Sequence, residues 1–219
     1  DYTGSEPTLT GRRVDGVIPA MTGMTGPAAT THIIGDVLEW VITYDDAVTV
    51  ATAVPQLNIT LDSGAVLATN SGGSGTVNLT FQYTVATSDL DVDNWAYGNS
   101  SQIDLNGATI RDTNGNDAEF DYGADTTPPS VAGRLVDGVA PTITSMTGPA
   151  AGTHIIGDVL EWVVTYNEAV NVATATPRLN ITLESGTILA PNSGGTGSAN
   201  LTFQYTVATS DLDVDDWAY

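Results

Sequence analysis

Aspartate and asparagine gather at three places in this chain, and each gathering has the chemistry of a hard-cation site. The first is "TSDLDVDNW", with Asp89, Asp91 and Asp93 at alternate positions and Asn94 beside them. It returns later in the chain as Asp211, Asp213, Asp215 and Asp216. On extended backbone, alternate side chains point the same way, so three carboxylates would crowd together. Their mutual repulsion is of kcal/mol order at a protein surface, and a cation held by carboxylate oxygens removes it. The second gathering is "RDTNGNDAE", with Asp112, Asn114, Asn116 and Asp117 around an Asn-Gly turn. Carboxylate, amide and backbone oxygens on a turn are the ligands Ca²⁺ takes. The third follows the run "EWVITY": Asp45 and Asp46, with Glu168 at the matching later place. Asp15 and Asp137, each in a "VDG" step, are a fourth contributor.

None of these is an EF-hand. Counting from Asp89, the sixth position is Asn94 where that loop needs Gly, and the twelfth is Ser100 where it needs Glu. The competing explanation is that Asp and Asn simply populate exposed turns.

The elements that must position these acids repeat. "THIIGDVLEWVITYDDAVTVATAVPQLNITLDSG" returns as "THIIGDVLEWVVTYNEAVNVATATPRLNITLESG". His32 aligns with His154, Trp40 with Trp162 and Trp95 with Trp217, and about three quarters of the aligned positions are identical without a gap. The second copy stops at Tyr219, before any counterpart of "GNSSQIDLNGATIRDTNGNDAEFDYG". The sequence is read as cut short there; the alternative is a neighbouring chain that supplies the missing strands.

Within a copy the hydrophobic period is two. Leu38, Trp40, Ile42 and Tyr44 share one face of "DVLEWVITY", opposite Glu39, Val41 and Thr43. Leu57, Ile59 and Leu61 alternate likewise, as do Leu79, Phe81, Tyr83 and Val85. Gly/Ser/Asn clusters such as Asn70–Gly75 punctuate these runs, and no stretch has helical periodicity. The expectation is an all-β fold of tandem immunoglobulin-like, antiparallel Greek-key β-sandwiches. Residues 1–15 are expected to end a preceding repeat, and 16–122 to form the first repeat. Residues 123–137, with Pro128-Pro129, are expected to be a stiff junction, and 138–219 a second repeat lacking its last strands.

Composition narrows the function classes. There are 26 acidic residues against five arginines and no lysine, for a net charge of -21 over 219 residues. Such a surface repels nucleic acid and anionic lipid. Cysteine is absent, which removes disulfides, thiolate metal sites and a Cys nucleophile. Without lysine there can be no Lys–Asn crosslink. No apolar run approaches the length of a membrane span.

The ordered set "GDVLEWVVTYNEAVNV", "LTFQYTV", "SDLDVD", "LNGATIRDTNGNDA" and "GRLVDGVAPT" resembles the bacterial Ig-like repeats of giant surface adhesins, of the RTX-type and biofilm-associated kind. The resemblance spans nearly the whole chain. It implies an extracellular, cell-surface sandwich that spaces a terminal adhesion domain away from the cell and is stiffened by Ca²⁺. The metal ligands it implies are Glu168 and Asp46; Asp89, Asp91 and Asp93, with Asp211, Asp213 and Asp215; Asp112 with Asp117; and Asp137 at the junction. The sequence departs from that pattern at Asp46, where Glu is usual, and in "DNWAYG" after the aspartates.

No catalytic constellation is legible, and the chain is read as not an enzyme. The single histidine of each copy, His32 or His154, reads as a surface or capping residue. Trp40 and Trp162 read as core. Trp95 and Trp217 either cap one end of the sandwich or offer sugar an aromatic platform. Sequons occur at Asn58, Asn78, Asn99, Asn180 and Asn200, four of them in expected strands. The expected partners are neighbouring repeats of the same chain, then other copies in a fibre. A self-assembling filament and a carbohydrate-binding module are the two rival readings.

Overall fold

The computed structural model describes residues 10–98, 103–121 and 128–214 of the chain. It divides into two compact units, Asp1–Val139 and Ala140–Tyr219. The described residues contain strands, turns and bends but no helix.

The first unit carries β1 (Met21–Thr25), β2 (Thr31–Ile33), β3 (Val37–Ala51), β4 (Gln56–Leu61), β5 (Gly64–Gly72) and β6 (Thr76–Thr84). It continues through β7 (Leu90–Asp91), β8 (Ala96–Tyr97), β9 (Ile103–Asp104), β10 (Thr109–Arg111) and β11 (Leu135–Asp137). The path β1-β3-β6-β5-β4-β8 runs as one antiparallel sheet, with β10 added to β3 and β9 added to β4. The sheet curls, so that side chains from β1, β3, β4, β6, β9 and β10 meet in one core.

Alternation puts them there. Leu38, Trp40, Ile42 and Tyr44 of β3 are all buried, as are Leu57, Ile59 and Leu61 of β4 and Leu79 and Phe81 of β6. The intervening residues of β4 are exposed or half-buried. Trp40 is fully buried and meets Trp95 edge-on, with ring centroids 6.1 Å apart.

β3 is longer than its sequence pattern indicated. The apolar run ends at Tyr44, yet the strand continues to Ala51. Its register against β6 shifts between Thr43 and Val48, and alternation lapses at the two exposed residues Asp45 and Asp46. An irregularity of this kind bends a strand without ending it. Beyond it, Thr49–Ala51 leave β6 and pair with β10.

The junction also differs from expectation. Leu135–Asp137, placed by sequence in a linker, form β11, parallel to β2 and antiparallel to β7. Val136 is 1% exposed and belongs to the first unit's core.

The second unit carries β12 (Ile143–Thr147), β13 (Val159–Val170), β14 (Arg178–Leu183), β15 (Gly186–Gly194) and β16 (Ser198–Thr206). Their order, β12-β13-β16-β15-β14, repeats β1-β3-β6-β5-β4. Its core holds Leu160, Trp162, Val164, Ile181, Leu201 and Phe203. The sequons at Asn58, Asn78, Asn180 and Asn200 all fall within strands, and Asn99 lies outside the described residues.

Removing one of the two tryptophans of the first core tests this packing. Trp40→Ala is expected to lower stability by about 3–5 kcal/mol, read from denaturant unfolding.

Candidate metal centre

The tight β4–β5 hairpin pairs Leu61 with Gly64, leaving Asp62 and Ser63 at its tip. That tip lies against the segment after β6. The Ser63 amide donates to the Leu90 carbonyl at 3.0 Å, and the Leu90 amide donates to Ser63 Oγ at 2.9 Å. The Asp62 amide donates to Asp91 Oδ2 at 3.1 Å, and the Val92 amide donates to Asp62 Oδ2 at 3.0 Å. Asp91 Oδ1 accepts the Asn94 amide at 2.8 Å.

These bonds bring Asp62, Asp91 and Asp93 together, with one carboxylate oxygen from each inside a 4.8 Å cluster. Asp91 is 2% exposed, while Asp62 and Asp93 face solvent. The donor set is all carboxylate oxygen, the kind chosen by a hard divalent cation. The triad supplies three oxygens of the six to eight that Ca²⁺ takes, so solvent or backbone would complete the shell.

Asp89 is not part of this group. Its Oδ2 accepts the Tyr83 hydroxyl at 2.6 Å and the Ala86 amide at 2.7 Å. The backbone turns at Thr87–Ser88, with Ser88 at a φ of 77°, and becomes extended only at Leu90. The alternation that would have aligned Asp89 with Asp91 therefore starts one residue too late.

The second unit repeats the wiring. Asp211 Oδ2 accepts the Tyr205 hydroxyl at 2.8 Å and the Ala208 amide at 2.7 Å. Asp213 Oδ2 accepts the Glu184 amide at 3.1 Å. Asp215, Asp216 and Trp217 lie outside the described residues.

The remaining expected ligands stand apart. Asp112 Oδ1 takes the amides of Asn114, Gly115 and Asn116 at 2.8, 2.6 and 2.9 Å, and Oδ2 takes Asn116 Nδ2 at 2.8 Å. Burial alone would raise its carboxyl. The bonds from the Asn116 side chain and the three amides outweigh that and hold it below its ordinary value. A carboxylate so surrounded by N–H donors closes a turn. Asp117 pairs with Arg111, Nε to Oδ1 at 2.6 Å. Asp46 Oδ1 accepts the following amide, of Ala47, at 2.7 Å. Asp137 Oδ1 accepts the Val139 amide at 3.2 Å. Glu168 is half-buried, with Oε1 enclosed and without a hydrogen bond.

Asp62 was missed by sequence reasoning, which followed runs of acids. The usable signal was the repeat itself, because "LDSG" returns as "LESG" and keeps an acid at both hairpin tips.

Two further readings change. His32 is neither exposed nor a cap: it lies in β2, is buried, and its ring sits 6.0 Å from that of Trp95. Its Nε2 lies 3.1 Å from the Ala28 carbonyl oxygen. Trp95 is 1% exposed, packed between His32 and Trp40, and presents no platform to a sugar.

Burial first, and then the bond and charge of Asp89, push the Tyr83 hydroxyl from 10.0 up to about 12. The folded state thus holds this proton more tightly than the unfolded chain. Its contribution is complete below pH 10 and is lost as pH rises through about 12. Melting temperatures across that window should fall less steeply for Tyr83→Phe than for the wild type. Compared with known proteins, the chain matches no family model and no curated protein.

Proposed function

We propose that this chain is a structural extender, a run of β-sandwich modules from a long extracellular or cell-surface protein. The observation that carries this reading is the junction. Leu135–Asp137 are built into the first unit as strand β11 with a buried valine, so the segment between the repeats is packed and paired up to Asp137. A spacer needs that property, and a flexible linker lacks it.

The immunoglobulin-like assignment draws support from strand order. The path β1-β3-β6-β5 has the sequence relations of the A-B-E-D sheet of that fold. The acidic composition, with net charge -21 and no cysteine, suits a soluble extracellular module without disulfides. No catalytic role is assigned. His32 is buried against Trp95, with its Nε2 3.1 Å from the Ala28 carbonyl oxygen.

Calcium enters this reading as a stiffener at Asp62, Asp91 and Asp93, and at Glu184 and Asp213 in the second unit. A cation there would tie the β4–β5 tip to the segment after β6, holding two loops that only a few hydrogen bonds now join. Binding to the folded state alone stabilises by mass action, about 2.7 kcal/mol at a hundredfold excess over Kd.

The melting temperature should therefore be higher in millimolar Ca²⁺ than in chelator. The pair Asp62→Asn and Asp93→Asn, which keeps an oxygen acceptor for the Val92 amide, should remove most of that shift while leaving the melt in chelator nearly unchanged. Asp112→Ala should behave differently, lowering the melt equally with and without calcium, because its oxygens close a turn. A melt indifferent to calcium removes the cation from this account and leaves the spacer role to be judged by the junction.

A further inference from the structure

The chain contains two Asn-Gly steps, Asn106-Gly107 and Asn114-Gly115. In such a step the glycine nitrogen can attack the asparagine side-chain carbon Cγ, because glycine has no Cβ to shield it. The attack needs the glycine N–H to give up its proton and the asparagine side chain to be free to turn. The two steps differ in both respects.

Asn106 and Gly107 are the central residues of the turn between β9 and β10. The Ala108 amide closes that turn on the Leu105 carbonyl at 2.6 Å. Asn106 and Gly107 have φ of 48° and 82°, the positive pair of a type I′ turn. That backbone favours Asn followed by Gly, so the turn itself selects the reactive dipeptide. Both residues are exposed. The Gly107 amide has no hydrogen-bond partner among the described residues. A Cβ at Gly107 would meet nothing closer than the Ala53 Cβ, at 4.0 Å. The Asn106 side chain makes one long bond, from Nδ2 to the Val54 carbonyl at 3.3 Å. The carboxylate of Asp104 takes the Asn106 amide at 2.8 Å and leaves that of Gly107 free.

Asn114-Gly115 is closed on both counts. The Gly115 amide donates to Asp112 Oδ1 at 2.6 Å. Removing that proton would set an amide anion against a carboxylate, two like charges in hydrogen-bond contact. Asn114 Nδ2 donates to Asp15 Oδ2 at 2.6 Å, which holds the side chain in place.

We propose that Asn106 is a site of spontaneous deamidation and that Asn114 is protected from it. The Gly107 nitrogen forms a bond to Asn106 Cγ, and the Cγ–Nδ2 bond breaks. The Gly107 proton passes to solvent, the departing nitrogen takes a proton from solvent, and ammonia leaves a succinimide ring in the main chain. Water then opens the ring. Addition at Cγ gives aspartate at position 106. Addition at the backbone carbonyl carbon gives isoaspartate, with an extra methylene in the main chain. Either product loses the amide that Asn106 gives to Val54 and adds a negative charge beside Asp104. Water is the only reagent consumed. The reaction requires no cation and does not depend on the spacer role.

Timed incubation of the full chain in mildly alkaline buffer, followed by cleavage after arginine and mass spectrometry, tests this. Cleavage after Arg111 places the two steps in separate peptides. In the folded chain the peptide ending at Arg111 should gain the mass of an amide-to-acid exchange at residue 106. An isoaspartate-specific methyltransferase should label it, and Asn106→Gln should abolish both signals. Asn114 should react more slowly by about tenfold or more, the rate equivalent of one charge-assisted hydrogen bond. In denaturant the two rates should converge. A residue 106 that keeps its amide in the folded chain overturns the proposal, as do equal rates at the two steps. A difference of that size that persists in denaturant also overturns it, because sequence neighbours rather than the fold would then set the rate.

Discussion

Burial of alternate side chains along β3 is the constraint on which the rest of each unit depends. Leu38, Trp40, Ile42 and Tyr44 point into the core, and a slip of one residue would turn all four to water. That penalty fixes the pairing of β3 with β6, and through β6 and β5 the position of the β4–β5 hairpin. The hairpin tip then has one place to go, against the segment after β6. The acids meet there because apolar burial elsewhere leaves their backbones no other arrangement.

The two units also act as a substitution experiment on the acids. Asp45 accepts the Ala20 amide at 2.8 Å, and its counterpart Asn167 accepts the Thr142 amide at 2.7 Å. That position needs only an oxygen acceptor, and charge is dispensable. Asp62 changes to Glu184 instead, keeping a carboxylate although the bond it shares with Asp91 and Asp213 comes from backbone. Asp89 and Asp91 stay aspartate as Asp211 and Asp213. Charge is thus retained at the end of the unit where β4, β5 and the segment after β6 converge, and is given up at Asp45, whose counterpart is Asn167.

The same end receives β11 in the first unit. Its residues pair on both sides, its valine is buried, and its glycine closes on the Ala86–Asp89 turn. In the second unit the matching segments, 153–155 and 212–213, are not in strands. In the first unit β11 supplies the backbone hydrogen-bond partners of β2 and β7.

The sequence by itself determined the all-β character, the duplicated order of strands and the buried face of each long strand. All three follow from local alternation, and alternation needs no knowledge of distant residues. Only the tertiary structure decided which acids meet. Asp62 reaches Asp91 across 29 residues of chain, and Asp89 turns away because of a two-residue bend that no period reveals. The burial of His32 and the conversion of a supposed linker into β11 were likewise closed to inspection of the chain. Each is produced by segments far apart in sequence packing against one another. Periodicity encodes the face a side chain takes, while the partner it meets there is set by how the sheet curls.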